Sequence, residues 1–235
     1  MTTLNTSLSV TSTASVPERR PNVAAIAKTC RSALIFCCAI TAFSACWRPS
    51  TSAKPGNAPP SVEALIVSVD DVRRIANDEE LTARAGADLR RPPPGDVKAP
   101  GPCRAVGISD LTFVGGWSTF RSAGYSRVSD DIAPSGIAPF GSVSQAVAVY
   151  PNWHAAHQAL DQLESLLTAC LALNDPKYAF SLDHHDSPTL RIAAQGWMHL
   201  YRVQNSVMIS VGVVGVEPTE RIATAVLQTV TDRIE

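Results

Sequence analysis

The chain has 235 residues, 45% of them hydrophobic and 17% charged, with a formal net charge of −1 at pH 7. It is too apolar for a disordered chain and lacks the basic footprint of a nucleic-acid binder. No apolar run reaches the roughly 18 residues of a membrane-spanning helix, which argues against a multi-span membrane protein.

The first elements are an address. Residues 1–16 are rich in Ser and Thr, and basic residues follow at Arg19, Arg20, Lys28 and Arg31. An apolar stretch from Ser32 to Phe43 then gives way to Ser44, Ala45 and Cys46. This is the order of a secretory signal: basic region, apolar region, small residues at the cleavage site. The n-region is long, and Val16 and Val23 are alternative translation starts. Arg19-Arg20 invites a twin-arginine reading that Pro21 and Asn22 fit poorly.

Phe43-Ser44-Ala45-Cys46 resembles a bacterial lipobox, in which Leu usually stands where this chain has Phe43. The resemblance implies lipidation of the Cys46 thiol, cleavage before Cys46 and N-acylation. The membrane would then be reached through a lipid anchor, each buried CH₂ contributing about 0.8 kcal/mol. The alternative is an ordinary signal peptide. Residues 47–60 hold four prolines among small polar residues and read as an extended tether. The expected organisation is therefore a signal peptide at 1–45, a lipidated Cys and tether at 46–60, and a folded domain at 61–235.

Four of the twenty Lys/Arg and one of the twenty-one Asp/Glu precede Cys46, so the remainder carries a net charge of −4 with His neutral. Such a face does not favour anionic headgroups or nucleic acid. Of six cysteines, Cys30, Cys37 and Cys38 lie in the segment to be removed and Cys46 takes the lipid. Cys103 and Cys170 remain, and a disulfide between them is the natural inference for an exported domain. It would close a loop of nearly seventy residues, worth roughly 4–5 kcal/mol on the chain-entropy account. The alternative is two free thiols. A metal site is not expected from two sulfurs without a His pattern.

Along the domain, Ala64–Val67 is a short apolar entry, and Ser68 caps an amphipathic helix whose face is Val69, Val72, Ile75 and Ala76. Residues 78–102 read as loop, ending in Pro92-Pro-Pro-Gly and Pro100-Gly-Pro. Strands are predicted at Leu111–Val114 and Trp117–Val128, separated by Gly115-Gly116, followed by a turn-rich loop at 130–141. Val143–Tyr150 alternates, with Val143, Gln145, Val147 and Val149 on one face. Asn152 caps a long helix over 153–171 with a stripe of Trp153, Ala156, Leu160, Leu163, Leu167 and Cys170. Strands follow at 178–182, 189–194, 198–203 and 206–214, the last two joined through Gln204-Asn205. A closing helix opens at Glu217-Pro218-Thr219, with a stripe of Ile222, Ala225, Val226, Thr229, Val230 and Ile234. The fold class is α+β: a mostly antiparallel sheet flanked by helices, with one internal disulfide.

The ordered set Gly116-Trp117, Gln145-Ala-Val-Ala-Val-Tyr-Pro151, Cys170 and Arg202-Val-Gln-Asn205 resembles the extracellular sensor domain of mycobacterial Ser/Thr protein kinases of the PknH type. That family also includes stand-alone mycobacterial lipoproteins. The resemblance covers about 61–235. It implies a helix-flanked antiparallel sheet with a cleft for an extracellular ligand, and its first disulfide falls on Cys103 and Cys170. Its second falls near Met198/His199 and at about Val214, where this chain has no Cys, so rigidity around that hairpin is in question. No kinase domain is present, and signalling by this chain itself is not implied.

Chemical candidates are sparse. His184-His185-Asp186 reads as a solvated turn, and His154 with His157 as helix surface. There is no Gly-x-Ser-x-Gly elbow and no dinucleotide or phosphate-cradling Gly loop, so no catalytic residue, metal or cofactor is expected. Trp117 and Trp197 read as core aromatics. Arg121, Tyr125 and Arg127 alternate after Trp117 and are, with it, the candidates to line a ligand cleft. The expected function is a non-enzymatic, lipid-anchored extracytoplasmic module that captures a small molecule or wall component. A scaffold docking an envelope protein through the Pro-rich loop 92–102, or a hydrolase with an unrecognised site, are the alternatives.

Overall fold

The structure, a computed structural model, describes residues 61–128, 140–186 and 188–234. The signal segment, Cys46, the tether and nearly all of the loop expected at 130–141 lie outside them. Within that range the elements run α1 (Val62–Leu65), α2 (Val69–Ala76), β1 (Thr82–Ala83), a 3₁₀ turn (Gly101–Ala105), β2 (Thr119–Val128) and β3 (Phe140–Val149). They continue as α3 (Trp153–Ala172), a second 3₁₀ turn (Pro176–Tyr178), β4 (Ser181–Asp186), β5 (Thr189–Ala194), β6 (Trp197–Gln204), β7 (Val207–Val214) and α4 (Thr219–Asp232).

The strands form one seven-stranded sheet in the order β1-β2-β3-β7-β6-β5-β4, with every neighbouring pair antiparallel. The expected α+β class is what the chain adopts. Because side chains alternate across a strand, β3 and β7 supply two apolar faces. Val143, Val147, Ile209, Val211 and Val213 pack beneath α1, α2 and α4. Ala146, Ala148 and Met208 face the other way, with Phe120, Tyr201 and Val203, under α3 and the 101–113 segment. The alternation expected of 143–150 holds, with Val143, Gln145, Val147 and Val149 on the α1–α2–α4 face, but the residues between them are buried too, since helices cover both sides.

Local signals held at most helix starts. The Ser68 hydroxyl accepts from the Asp71 amide at 3.2 Å, and Asn152 Oδ1 from the Ala155 amide at 2.9 Å. Elsewhere tertiary contacts moved the boundaries. Leu111–Val114 is not a strand: Ser109 and Thr112 bond each other's backbone and side chains, closing a turn that buries Phe113. Residues 78–102 carry β1 and a bridge from Leu89 to Ser122 and are laid along the edge of β2. The strand expected at 178–182 begins instead at Ser181, after the second 3₁₀ turn. The β6–β7 turn is Asn205-Ser206, with Asn205 at φ 55°. Pro218 precedes α4 as its cap, and α4 also buries Ala223, Leu227 and Thr231, because it packs on the sheet and against α2 together. Trp153, expected on the α3 stripe, is 52% exposed at the start of the helix and leans on His154 and His157.

Cys103, in the first 3₁₀ turn, is joined to Cys170 near the end of α3, their Cα atoms 4.8 Å apart. The bond pins the turn to the helix across a sequence separation of 67 residues. Where the family's second crosslink would fall, Met198 faces Val213 and Trp197 faces Val214 across the full β6–β7 ladder, so backbone hydrogen bonds hold that hairpin. Reduction of the disulfide, or a Cys103→Ala/Cys170→Ala variant, is expected to cost about 2–5 kcal/mol. Urea unfolding reads this as a lower midpoint, and an unchanged midpoint contradicts it.

Candidate functional site

The α3 face of the sheet changes character along its strands. The row Phe120–Ala148–Met208–Val203 is apolar and lies within the α3 core. Two residues further along the ladder comes the row Ser122–Ala146–Ser210–Tyr201, and two further still Gly124–Ser144–Gly212–His199. Up to His199 the side chains of this last row are short or absent, so the sheet surface falls away into a trough of about 420 Å³. Arg84, Gly107 and Ile108 roof it, and Ser142, Ser144 and His199 line its floor.

The two glycines are what make the room. A Cβ on Gly212 would sit 2.6 Å from the His199 ring and 2.8 Å from Ser144 Oγ; one on Gly124 would meet Ala87 at 2.9 Å and the Arg84 guanidinium at 3.2 Å. Any larger residue at either position would push the histidine or the arginine out of place.

His199 is 7% exposed and stacks on Tyr201, with ring centroids 4.7 Å apart and planes 15° apart. Burial pushes its pKa down to about 3, so the ring is neutral in the fold. Nε2 lies 2.6 Å from the hydroxyl of Ser210, which is fully buried and has His199 as its side-chain hydrogen-bond partner. If Nε2 carried the hydrogen, the Ser210 hydroxyl proton would be buried without an acceptor, at about 1–3 kcal/mol. We assign Ser210 as the donor to Nε2, since its hydroxyl proton has no other acceptor among the described residues while Nδ1 faces the trough, and this puts the ring hydrogen on Nδ1. Among the described residues nothing accepts from Nδ1, which lies on the trough side of the ring, above Gly212. Ser210 is too deep to act as a nucleophile, so this Ser–His pair presents an N–H donor and no catalytic dyad.

The roof is held from below. Tyr201 accepts from the Gly107 amide at 2.9 Å and donates to its carbonyl at 3.2 Å; burial raises the pKa of this phenol. Thr112 donates to the Ala105 and Gly107 carbonyls, and the disulfide anchors Cys103 just upstream. Arg84 leans over Gly124 from β1's end, and among the described residues no carboxylate lies within ion-pair distance of it.

The four residues expected to line a cleft are not brought together. Tyr125 is buried on the opposite face, donating to the Val67 carbonyl at 2.5 Å beside Gln145, which clasps the same residue's amide and carbonyl at 2.9 and 2.7 Å. Arg121 pairs with Asp88 at 2.7 Å, and Arg127 lies 2.6 Å from the Asp78 carboxylate. Trp117 packs on Phe120 and lines a separate, open pocket of about 500 Å³ with Glu63 and Arg90. A further pocket of about 540 Å³ beside Tyr178 and Phe180 has no buried polar side chain in its wall.

His184, His185 and Asp186 are not in a turn but in edge strand β4, tied sideways. His184 lies 3.0 Å from Glu164 of α3, and Asp186, held below the usual carboxylate range by its hydrogen bond with Thr189 and by Arg202, pairs with that arginine at 3.2 Å. Next to them, Arg191 chelates Asp183 through two 2.9 Å bonds, which lower that carboxyl's pKa. Trp197 is partly buried against Phe180. The trough residues His199, Ser144, Gly212 and Arg84 escaped sequence reasoning. Their one signal was small residues at alternate positions, Ser142/Ser144 and Ser210/Gly212, inside otherwise Val-rich strands.

A doubly covered antiparallel sheet with a recess beside its main helix defines an α+β domain. The chain matches the PknH-like extracellular domain family over residues 58–233 and belongs to that family. Among solved structures it is similar to the crystal structure of the extracellular domain of PknH from Mycobacterium tuberculosis. The TM-score is 0.52 at 17% identity, covering 76% of this chain and 98% of that one, a likeness of fold. No curated protein sequence matches the chain.

The neutral, buried His199 sets a pH dependence. Below its ordinary pKa of 6.5 the unfolded chain takes up a proton that the fold refuses, so stability is full above 6.5 and falls as pH drops towards 3. The slope is about 1.4 kcal/mol per pH unit. Thermal melts across the upper part of that window, before the carboxylates titrate, are expected to show this slope, and His199→Gln to flatten it. An equal slope in both proteins contradicts the assignment.

Proposed function

We propose that this protein is a lipid-anchored, extracytoplasmic binding module of a bacterial cell envelope, which holds a small molecule or wall component in the His199 trough without converting it. The observation that carries the reading is a pre-formed polar recess in a domain that belongs to a family of extracellular domains. Pre-formed concavity with a few converging polar groups is what small-ligand sites share. The non-catalytic part rests on the only Ser–His hydrogen bond at the trough among the described residues being that of Ser210, which is sealed beneath His199, while the Ser142 and Ser144 hydroxyls that line the floor are bonded to no described base. The anchor rests on the lipobox-like Phe43–Cys46, with the tether separating the domain from the membrane. Docking of an envelope protein on the loop 92–102 has only the exposed Val97 in its favour.

A native mass spectrum of protein from its own host is expected to show a retained small molecule, released by denaturation; protein that carries nothing speaks against the binding reading. Separately, Cys46→Ala is expected to move the protein from the detergent phase to the aqueous phase of a two-phase extraction. Unchanged partitioning would remove the lipid anchor.

A further inference from the structure

The trough has a chemical polarity of its own. Among the described residues its wall contains no acidic side chain. At one end stands the Arg84 guanidinium, over Gly124; at the other the His199 Nδ1–H, over Gly212. Between them lie Ser144, which touches the Gly212 carbonyl only at 3.4 Å, and Ser142, whose hydroxyl has no partner among the described residues. Gly124, Ser144 and Gly212 are direct cross-strand neighbours. Two strand spacings therefore separate the ends, roughly 10 Å.

A row of hydroxyls, one ring N–H and a guanidinium that pairs with no carboxylate among the described residues repels cations and is richer in donors than a neutral ligand needs. It suits an oxyanion, which accepts several such bonds at once, and a guanidinium binds that group bidentately. The opposite end offers a single neutral donor on a rigid, stacked ring, which suits a hydroxyl or carbonyl oxygen of the same ligand. Because the ring is fixed by its stack on Tyr201, this donor bonds a ligand acceptor in one direction only, which gives the site selectivity.

We infer that the trough takes a small ligand with an oxyanion, phosphate or carboxylate, at the Arg84 end and a hydrogen-bond acceptor about two strands away at His199. This deepens the binding reading above and rests on it. The class it names is the sugar-phosphate or hydroxy-acid size range, matched to a recess of about 420 Å³.

The test uses the folded protein and defined probes. Inorganic phosphate, acetate and glucose 1-phosphate are titrated at constant ionic strength, with ¹⁵N NMR following the amides of Gly107, Ser144 and Gly212 and the His199 ring nitrogens. Saturable shifts with phosphate or acetate are expected, the stronger of the two naming the anion, and glucose 1-phosphate should bind more tightly than phosphate. Arg84→Gln, at an exposed position, should weaken every probe by roughly tenfold or more, the worth of a charge-assisted hydrogen bond. His199→Gln should weaken glucose 1-phosphate while leaving phosphate unchanged. If neither anion shifts these amides, or if Arg84→Gln binds them as well as the parent protein, the inference is overturned. A neutral molecule retained from the host, with no response to either anion, overturns the ligand class and leaves the binding reading standing. Saturable anion binding by protein that carries nothing from its host does the reverse.

Discussion

The central strands of this domain have no solvent face, and the rest of the structure follows from that. β3 and β7 are covered by α4 and its neighbours on one side and by α3 on the other. A polar side chain on either strand must therefore find a partner or open onto a cavity, because an unmet polar group in such a place costs more than most apolar contacts return. Each inward polar residue of these strands meets one condition or the other. Gln145 clasps both backbone groups of Val67 and so fastens the entry segment between α1 and α2 to the sheet. Ser210 is spent on His199. Ser142 and Ser144 open onto the trough.

The trough is therefore a consequence of where α3 stops covering the sheet. Along that face the side chains shorten from Phe120, Met208 and Val203 to Ser144 and two glycines, and the helix packs only on the bulky part. The uncovered part is roofed by a segment with little secondary structure of its own, held by the disulfide at Cys103, by Thr112 and by the Tyr201 hydroxyl. Those ties give the wall a fixed position although it is made of loop, which is the condition for a binding surface that does not have to be ordered on each encounter.

The far edge of the sheet is managed differently. β4 exposes its outer backbone and carries Asp183, His184, His185 and Asp186 there, with arginines of β5 and β6 and glutamates of both flanking helices drawn in around them. A charged, tied-down edge does not invite another strand. The histidine pair that catches the eye in the sequence belongs to this edge, while the histidine that bears on the trough is a lone residue within an apolar strand.

Much of the architecture was legible before any coordinates. The long helix with its Asn152 cap, the Val-rich last strand, the α+β class and the pairing of Cys103 with Cys170 are written in periodicity, capping chemistry and cysteine count, all of which act over a few residues or by elimination. The turn at Leu111–Val114 and the start of β4 were misread because side-chain hydrogen bonds and packing outweighed strand propensity there. The trough was beyond reach for a stricter reason. Gly124 and Ser144 come from β2 and β3, His199 and Gly212 from the β6–β7 hairpin beyond α3, and a site made largely of missing side chains carries no motif. Local sequence determined most of the helices and strands and, by cysteine count, which two thiols meet. Only strand order and register, which depend on long-range burial of both sheet faces, brought an arginine, two serines and a neutral histidine to one recess and sent Tyr125 and Arg127 elsewhere.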